Sequence, residues 1–500
     1  MVGGGHNGIT AAAYLARAGR SVLVLERREV IGGACTLERP FTDHRYLISP
    51  CAYVVGLLDE TVVGELELAR HGYRVFVCDP QLWCPLSDGS SVALFCDPRR
   101  TTAHMREQGF AERDIAGLAA YDELFDRLRR LLRKGARDAW AGDSPSRAEL
   151  ERMLGGDPEL VSVLFEESIA ETLDRYLDDA RLKDALFGQG VIGTLAGPRD
   201  PGTAQVHLHH HQGELEGRGG VWGYVEGGMG RVSFAIANAA LEAGAAIAAG
   251  VPVARIVAGE GVEVESGELI RGRAVVSNAD PKRTLAMLAG ADVDASYRDR
   301  LDAWRTESPV VKVNAALRRL PSFAAAGGVA PHRAMVSVTP GLDAAQEACD
   351  ACRRGEPRIG FAELYFQTAY DPSVAPAARH TMSAFAQYAP YALAAGDWEG
   401  RRQEIGELVI DAIADHAPDV RECVDEMEVL GPPDVERRIG LTGGNIFQGD
   451  VLPEQMWDRR LGCRTPVAGL YLCGAATHPG GSVIALNGRN AAMAVLEDGL

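Results

Sequence analysis

The chain has 500 residues, a formal net charge of −18, 46% hydrophobic and 24% charged side chains. That is ordinary globular composition, long enough for several domain-sized units and a large core. The acidic balance excludes nucleic acid and strongly anionic membrane surfaces as partners, because their phosphates would be repelled.

No run of roughly eighteen apolar residues offers a transmembrane helix. The 10 cysteines are scattered, as free thiols in a reducing, cytoplasmic setting would be. Lysine occurs only at Lys134, Lys183, Lys282 and Lys312, so nearly all positive charge is arginine.

In chain order, Gly3-Gly-Gly-His-Asn-Gly8 opens the sequence, and an alanine-rich helical pattern runs to Ala18. Ser21–Glu26 then reads as a strand ending on an acidic residue. A lone GxGxxG is weak, but this βαβ context is what dinucleotide binding requires. Gly3 permits the tight turn, Gly5 lets backbone approach a pyrophosphate, and Gly8 lets the helix pack closely. Glu26 is placed to accept from ribose hydroxyls. Only Met1 and Val2 precede Gly3, where about five strand residues are usual, so a short upstream segment is expected to be missing.

Residues 41–58 read as an irregular loop and residues 101–187 as mostly helical. Ile115, Leu118, Phe125, Leu128, Leu131 and Leu132 recur at helical spacing, which suits a helical core. His207, His209, His210 and His211 cluster without a cysteine or carboxylate set to complete a metal site, which favours a polar lining or a solvated helix face. Cys349 and Cys352 form a single CxxC in a helix-like segment, which is weak for zinc or redox use. Residues 251–257, 261–265 and 274–277 read as short strands, and residues 281–430 alternate helices and strands. Gly469–Gly474 is a last buried strand, a loop covers residues 475–481, and a closing helix is expected from Val483.

Lys312 is the strongest candidate for chemistry. It interrupts Pro309-Val-Val-Lys-Val-Asn-Ala-Ala-Leu317, an apolar strand, where a charge is costly unless paired or functional. Alternation puts Lys312, Asn314 and Ala316 on one face and Val311, Val313 and Ala315 on the other.

The N-terminal fingerprint and GLYLCGAATHPGGSV (469–483) together resemble the flavin amine-oxidase and phytoene-desaturase superfamily. LERREVIGGACT, GYVEGGMGRV and GLTGGNIFQG are most similar to its phytoene-dehydrogenase-like oxidoreductases. The resemblance covers nearly the whole chain and implies FAD, in keeping with a single GxGxxG in a βαβ context. It implies an α/β fold in which a discontinuous Rossmann-type FAD-binding domain (1–80, 216–281, 433–500) carries an inserted α+β substrate domain (81–215, 282–432) with a helical subdomain.

By position, the resemblance assigns Gly3, Gly5 and Gly8 to the pyrophosphate and Glu26 to the adenosine ribose. Arg27, Gly32 and Gly33 follow the ADP half, and the Val253 backbone faces the adenine. Gly474 and the Gly481-Ser482-Val483 helix entry meet the flavin. Lys312 matches the strand-borne lysine of amine oxidases, and Asn445 and His478 are expected to line the cavity. Ser482 falls where amine oxidases carry an aromatic residue, which weakens the case for a simple amine substrate.

The implied activity is hydride removal from a carbon of a lipophilic, polyene-like small molecule, with oxygen, a quinone or a redox protein as electron acceptor. Amine oxidation, flavin-assisted isomerisation and a low-turnover binding role are alternatives, and the resemblance leaves room for a homodimer.

Overall fold

Val2 lies at the centre of a parallel sheet in the computed structural model, which describes residues 1–288, 293–325 and 327–500. It bridges Leu25 on one side and Ser277 on the other. Leu23–Leu25 pairs outward with Ala246–Ala248, and Val275–Ser277 with Leu470–Leu472, all parallel. Four distant stretches therefore flank two N-terminal residues, and the crossover helix His6–Arg17 returns the chain from Val2 to Leu23. That helix packs against Arg231–Glu242 and Leu486–Glu497. A three-stranded antiparallel sheet, Val253–Val257, Gly261–Val264 and Leu269–Arg271, adjoins this Rossmann-type layer.

Local chemistry sets the helix ends. The alanines of His6–Arg17 favour helix, and Gly19, at φ 78°, ends it in a left-handed step that costs glycine little. The close packing of this helix has a specific cause at Gly8. A Cβ there would lie 2.3 Å from the Gly3 carbonyl oxygen and 3.0 Å from Asn278 Cβ.

The second layer is a seven-stranded sheet, ordered Val424–Leu430, Val310–Leu317, His380–Gln387, Phe361–Tyr365, Met335–Val338, Leu82–Pro85 and Ser91–Leu94. Val310–Leu317 is buried along its whole length between antiparallel neighbours. Val311, Val313, Ala315 and Leu317 enter a core with Trp83, Phe366 and the helix Trp398–Ala414. Each large apolar side chain buried there contributes about 1.5–3 kcal/mol.

The helices between Pro98 and His211 form the helical subdomain. Ser146 and Ser168 start two of them with full capping boxes, and Asp97, Asp157 and Asp179 cap three more.

The closing helix begins at Leu486 rather than at Val483. Ser482, Val483 and Ala485 hold φ values of 84°, 58° and 65°. A right-handed helix cannot run through left-handed residues, so the chain stays irregular until the last of them is passed.

Replacing Gly8 with alanine is expected to cost about 2 kcal/mol through overpacking against Gly3. Chemical denaturation of G8A against the parent reads this directly, and an unchanged midpoint would contradict the packing role.

Candidate active site

The first turn and its neighbours leave a cleft of about 410 Å³. Gly3, Gly5, Glu26, Arg27, Gly32, Gly33 and Val253 all line it. Backbone approaches backbone here. Gly5 bridges Gly32, the Gly32 amide donates to the Gly4 carbonyl at 2.7 Å, and a Cβ on Gly5 would meet Asn278 Nδ2 at 2.4 Å. Glu26 is buried, its Oε2 accepting from the Gly4 amide at 2.7 Å and its Oε1 from the Arg28 amide at 2.9 Å. The carboxylate is therefore fixed at the mouth of the glycine turn with lone pairs to spare.

A second cavity of about 150 Å³ continues from the first, and His6, Ala34, Leu441, Ile446 and Ala475 line both. Lys312, Ser482 and Val483 belong to this second space. The Lys312 side chain is 3% exposed, and its Nζ donates to Asn314 Oδ1 at 3.2 Å and to Ser383 Oγ. The same atom lies 3.9 Å from the centre of the Tyr53 ring. Burial lowers the ammonium pKa to about 7, opposed by Cys51 and Glu428. Asn314 passes the contact on, since its Nδ2 donates to Glu428 Oε2 at 3.3 Å, and Arg438 holds Glu428 Oε1 at 2.6 Å.

Cross-strand register adds a group that has no sequence signal. Lys312 pairs with Phe385, and Phe385 pairs with Glu363, so the three share one face of adjacent strands. Glu363 is buried, with Oε1 accepting from Gln189 Nε2 and Oε2 from the Tyr365 hydroxyl, both at 2.7 Å. Burial raises its pKa to about 7, and the two hydrogen bonds oppose the shift. Tyr53, Trp222, Tyr365, Phe385 and Phe447 complete a largely aromatic wall. The aromatic surface missing at Ser482 thus comes from other elements.

Several expected site residues lie behind the walls. Gly8 serves helix packing and does not line the cleft. A Cβ on Gly474 would meet Gln448 Oε1 at 2.3 Å, and one on Gly481 would meet Phe447 Cδ1 at 2.5 Å. Those two glycines make room for lining residues rather than lining the site themselves. Asn445 ties its own loop, with Oδ1 accepting from the Phe447 and Gly449 amides at 2.9 and 3.0 Å and Nδ2 donating to the Glu307 carbonyl. His478 donates from Nε2 to the Ala139 carbonyl at 2.8 Å, and burial lowers its pKa to about 3. Neither lines the cavity, and Asn445 and His478 Nε2 instead satisfy backbone groups that the loops leave unpaired.

The four clustered histidines diverge. His207 packs on Phe125 and Tyr121, His211 faces Asp126, and His209 Nε2 reaches the Gly481 carbonyl. Only His210 lines the cavity. Among the described residues no group of histidine, cysteine, aspartate and glutamate could hold a metal. Cys349 and Cys352 are free thiols buried on Leu342–Arg353, and burial pushes both up, the opposite of a reactive thiolate.

The residues fit a flavin-bearing dinucleotide. The glycine turn offers bare amides to phosphates at a helix N-terminus. His6 Nε2 and Asn7 Oδ1, from two residues that line the cleft, are buried without hydrogen-bond partners and suit ribityl or ribose hydroxyls.

This layout, a dinucleotide cleft opening on a largely aromatic cavity with a buried lysine, is that of a flavin-dependent oxidoreductase. The chain belongs to the flavin containing amine oxidoreductase family, whose model matches residues 121–496, and residues 1–53 match an NAD(P)-binding Rossmann-like domain. It is 34% identical to pyridine nucleotide-disulfide oxidoreductase domain-containing protein 2 of Mus musculus, covering 100% of this chain and 93% of that one. It is 26% identical to a limonene dehydrogenase polypeptide of Castellaniella defragrans, covering 100% and 94%. Among solved structures, putrescine oxidase bound to putrescine shares the fold, with a TM-score of 0.61 at 18% identity over 99% of this chain and 97% of that one. The wider superfamily includes the phytoene desaturases.

Glu363 yields a pH test. Its folded pKa of about 7 stands above its ordinary 4.5, so the stability it contributes is present in acid and lost as pH rises through 7. Glu363→Gln should therefore gain on the parent protein between about pH 5 and about pH 8, by about 3 kcal/mol. Thermal melts of both proteins at the two pH values check it, and an advantage that does not grow with pH would contradict the assignment.

Proposed function

We propose that this protein is an FAD-dependent oxidoreductase that removes hydride from a carbon of an apolar or polyene-like small molecule. The observation that carries the reading is the continuity of the two spaces, with Lys312 at the wall of the inner one. A glycine turn, a ribose-accepting Glu26 and Val253 at the far end describe a cleft for a whole dinucleotide rather than a mononucleotide. The apolar choice is supported by the aromatic lining and by the names of a limonene dehydrogenase and a phytoene desaturase among the relatives.

In this reading residues 1–80, 216–281 and 433–500 hold FAD, and residues 81–215 and 282–432 hold substrate. The strands of the parallel sheet fall in the first set and those of the seven-stranded sheet in the second. Gly3, Gly5, Gly32 and Gly33 would receive the pyrophosphate, with Glu26 at the ribose and Ser482 and Val483 beside the ring.

When bound, FAD supplies a two-electron acceptor for hydride. The protein does the rest. Its aromatic walls orient the substrate and exclude water, and Lys312 Nζ takes or relays the proton released as substrate is oxidised. A pKa of about 7 leaves that amine half neutral near neutrality, where a general base is most effective.

The electron acceptor is oxygen, a quinone or a redox protein. Ten free cysteines suit a reducing compartment such as the cytoplasm. Among the described residues no helix is long and apolar enough to cross a membrane.

Lys312→Met should keep stoichiometric FAD yet slow anaerobic flavin reduction by about 10²–10⁴-fold. In the parent protein the reduction rate should rise with pH through about 7, and the variant should lose that limb. Full turnover in an FAD-replete K312M protein would defeat the assignment.

A further inference from the structure

The inner cavity is not uniformly apolar. Two of its lining residues, His210 and Gln189, each carry a buried acceptor atom without a hydrogen bond. His210 is 4% exposed, and its Nδ1 lies 2.8 Å from the Val206 carbonyl four residues earlier on the helix Thr203–His211. A carbonyl can only accept, so Nδ1 carries the proton and Nε2 keeps a bare lone pair. That Nε2 atom is buried without a hydrogen bond, and besides Val206 the main-chain carbonyl of Gln189 faces the ring.

Gln189 repeats the pattern. Its Nε2 is committed to Glu363 Oε1 at 2.7 Å, and its Oε1 is buried without a partner. Two neighbouring groups are already engaged, because the Tyr365 hydroxyl donates to Glu363 and Lys312 Nζ bonds Asn314 and Ser383. Both orphan atoms belong to residues lining the inner cavity, as do Glu363 and Trp222.

A buried acceptor left unpaired costs about 1–3 kcal/mol. Water can meet these two atoms in the resting protein. A ligand that displaces the water must bring a donor of its own or lose affinity. We propose that His210 Nε2 and Gln189 Oε1 form a subsite for a hydrogen-bond donor, a hydroxyl or an amine N–H, at one end of an otherwise apolar substrate. The proposal deepens the preceding reading and rests on it for the use of this cavity. It narrows the substrate class from a plain hydrocarbon to one with a single polar end.

The experiment is calorimetric titration of the holoprotein with benzyl alcohol, benzylamine and ethylbenzene, which differ in one group of similar size. It is run on the parent protein and on His210→Phe and Gln189→Met, with flavin content measured in each. The two donor-bearing arms separate alcohol from amine recognition, and ethylbenzene reports general damage to the cavity.

The expected result is a loss of about tenfold in affinity for benzyl alcohol, benzylamine or both in each variant. Ethylbenzene should change less than about twofold, with flavin retained. Equal losses for all three ligands, or loss of flavin from both variants, would overturn the subsite. Calorimetry reads binding without turnover, so a donor preference without flavin reduction would uphold this subsite and contradict hydride removal instead.

Discussion

The site depends on close approaches at glycines where no side chain can stand. Gly8 rests on the Gly3 carbonyl, Gly5 on Asn278, and Gly488 on the Asn7 carbonyl, with a Cβ at each falling 2.1–2.4 Å from its neighbour. These approaches draw the helices His6–Arg17 and Leu486–Glu497 onto the parallel sheet and leave bare amides at the floor of the cleft. Ala475 and Ile446, brought in from the C-terminal segments, then line the passage between cleft and inner cavity. A turn of three glycines thus sets where a cofactor can lie and which wall it faces.

The inner cavity works by the opposite device, since it buries charge-bearing groups in place of removing side chains. Lys312 and Glu363 stand on one face of the sheet, on the two strands that flank Phe385. Burial brings both close to neutrality at about pH 7, lowering the amine and raising the carboxyl. Asn314 and Glu428 tether the lysine from behind, so its reach is set by the sheet and not by a flexible stem.

Features written in short sequence windows were legible. The glycine fingerprint, Glu26 and the lone lysine in an apolar strand each depend on residues within one βαβ unit or one strand. Glu363, Tyr365 and Gln189 were not, because strand register and the docking of the helical subdomain bring them to Lys312. His210 looked like one of four equivalent histidines, and only the helix phase separates it from the three that pack or pair elsewhere. Asn445 and His478 misled for a physical reason. Polar residues in a glycine-rich loop can satisfy stranded backbone groups as readily as they can face a ligand, and sequence does not distinguish the two. The closing helix likewise starts three residues later than the sequence pattern suggests, since nothing in Ser482 or Val483 announces a left-handed backbone.

The central claim is that cleft and cavity are one site, joined at His6, Ala34, Leu441, Ile446 and Ala475. The most direct measurement is the electron density of the cofactor in crystals of the holoprotein. The account predicts the flavin ring against those five residues, its reactive edge toward Lys312 and its adenosine end beside Glu26. A ring lying outside the inner cavity, or one with Lys312 beyond reach of it, would contradict the account.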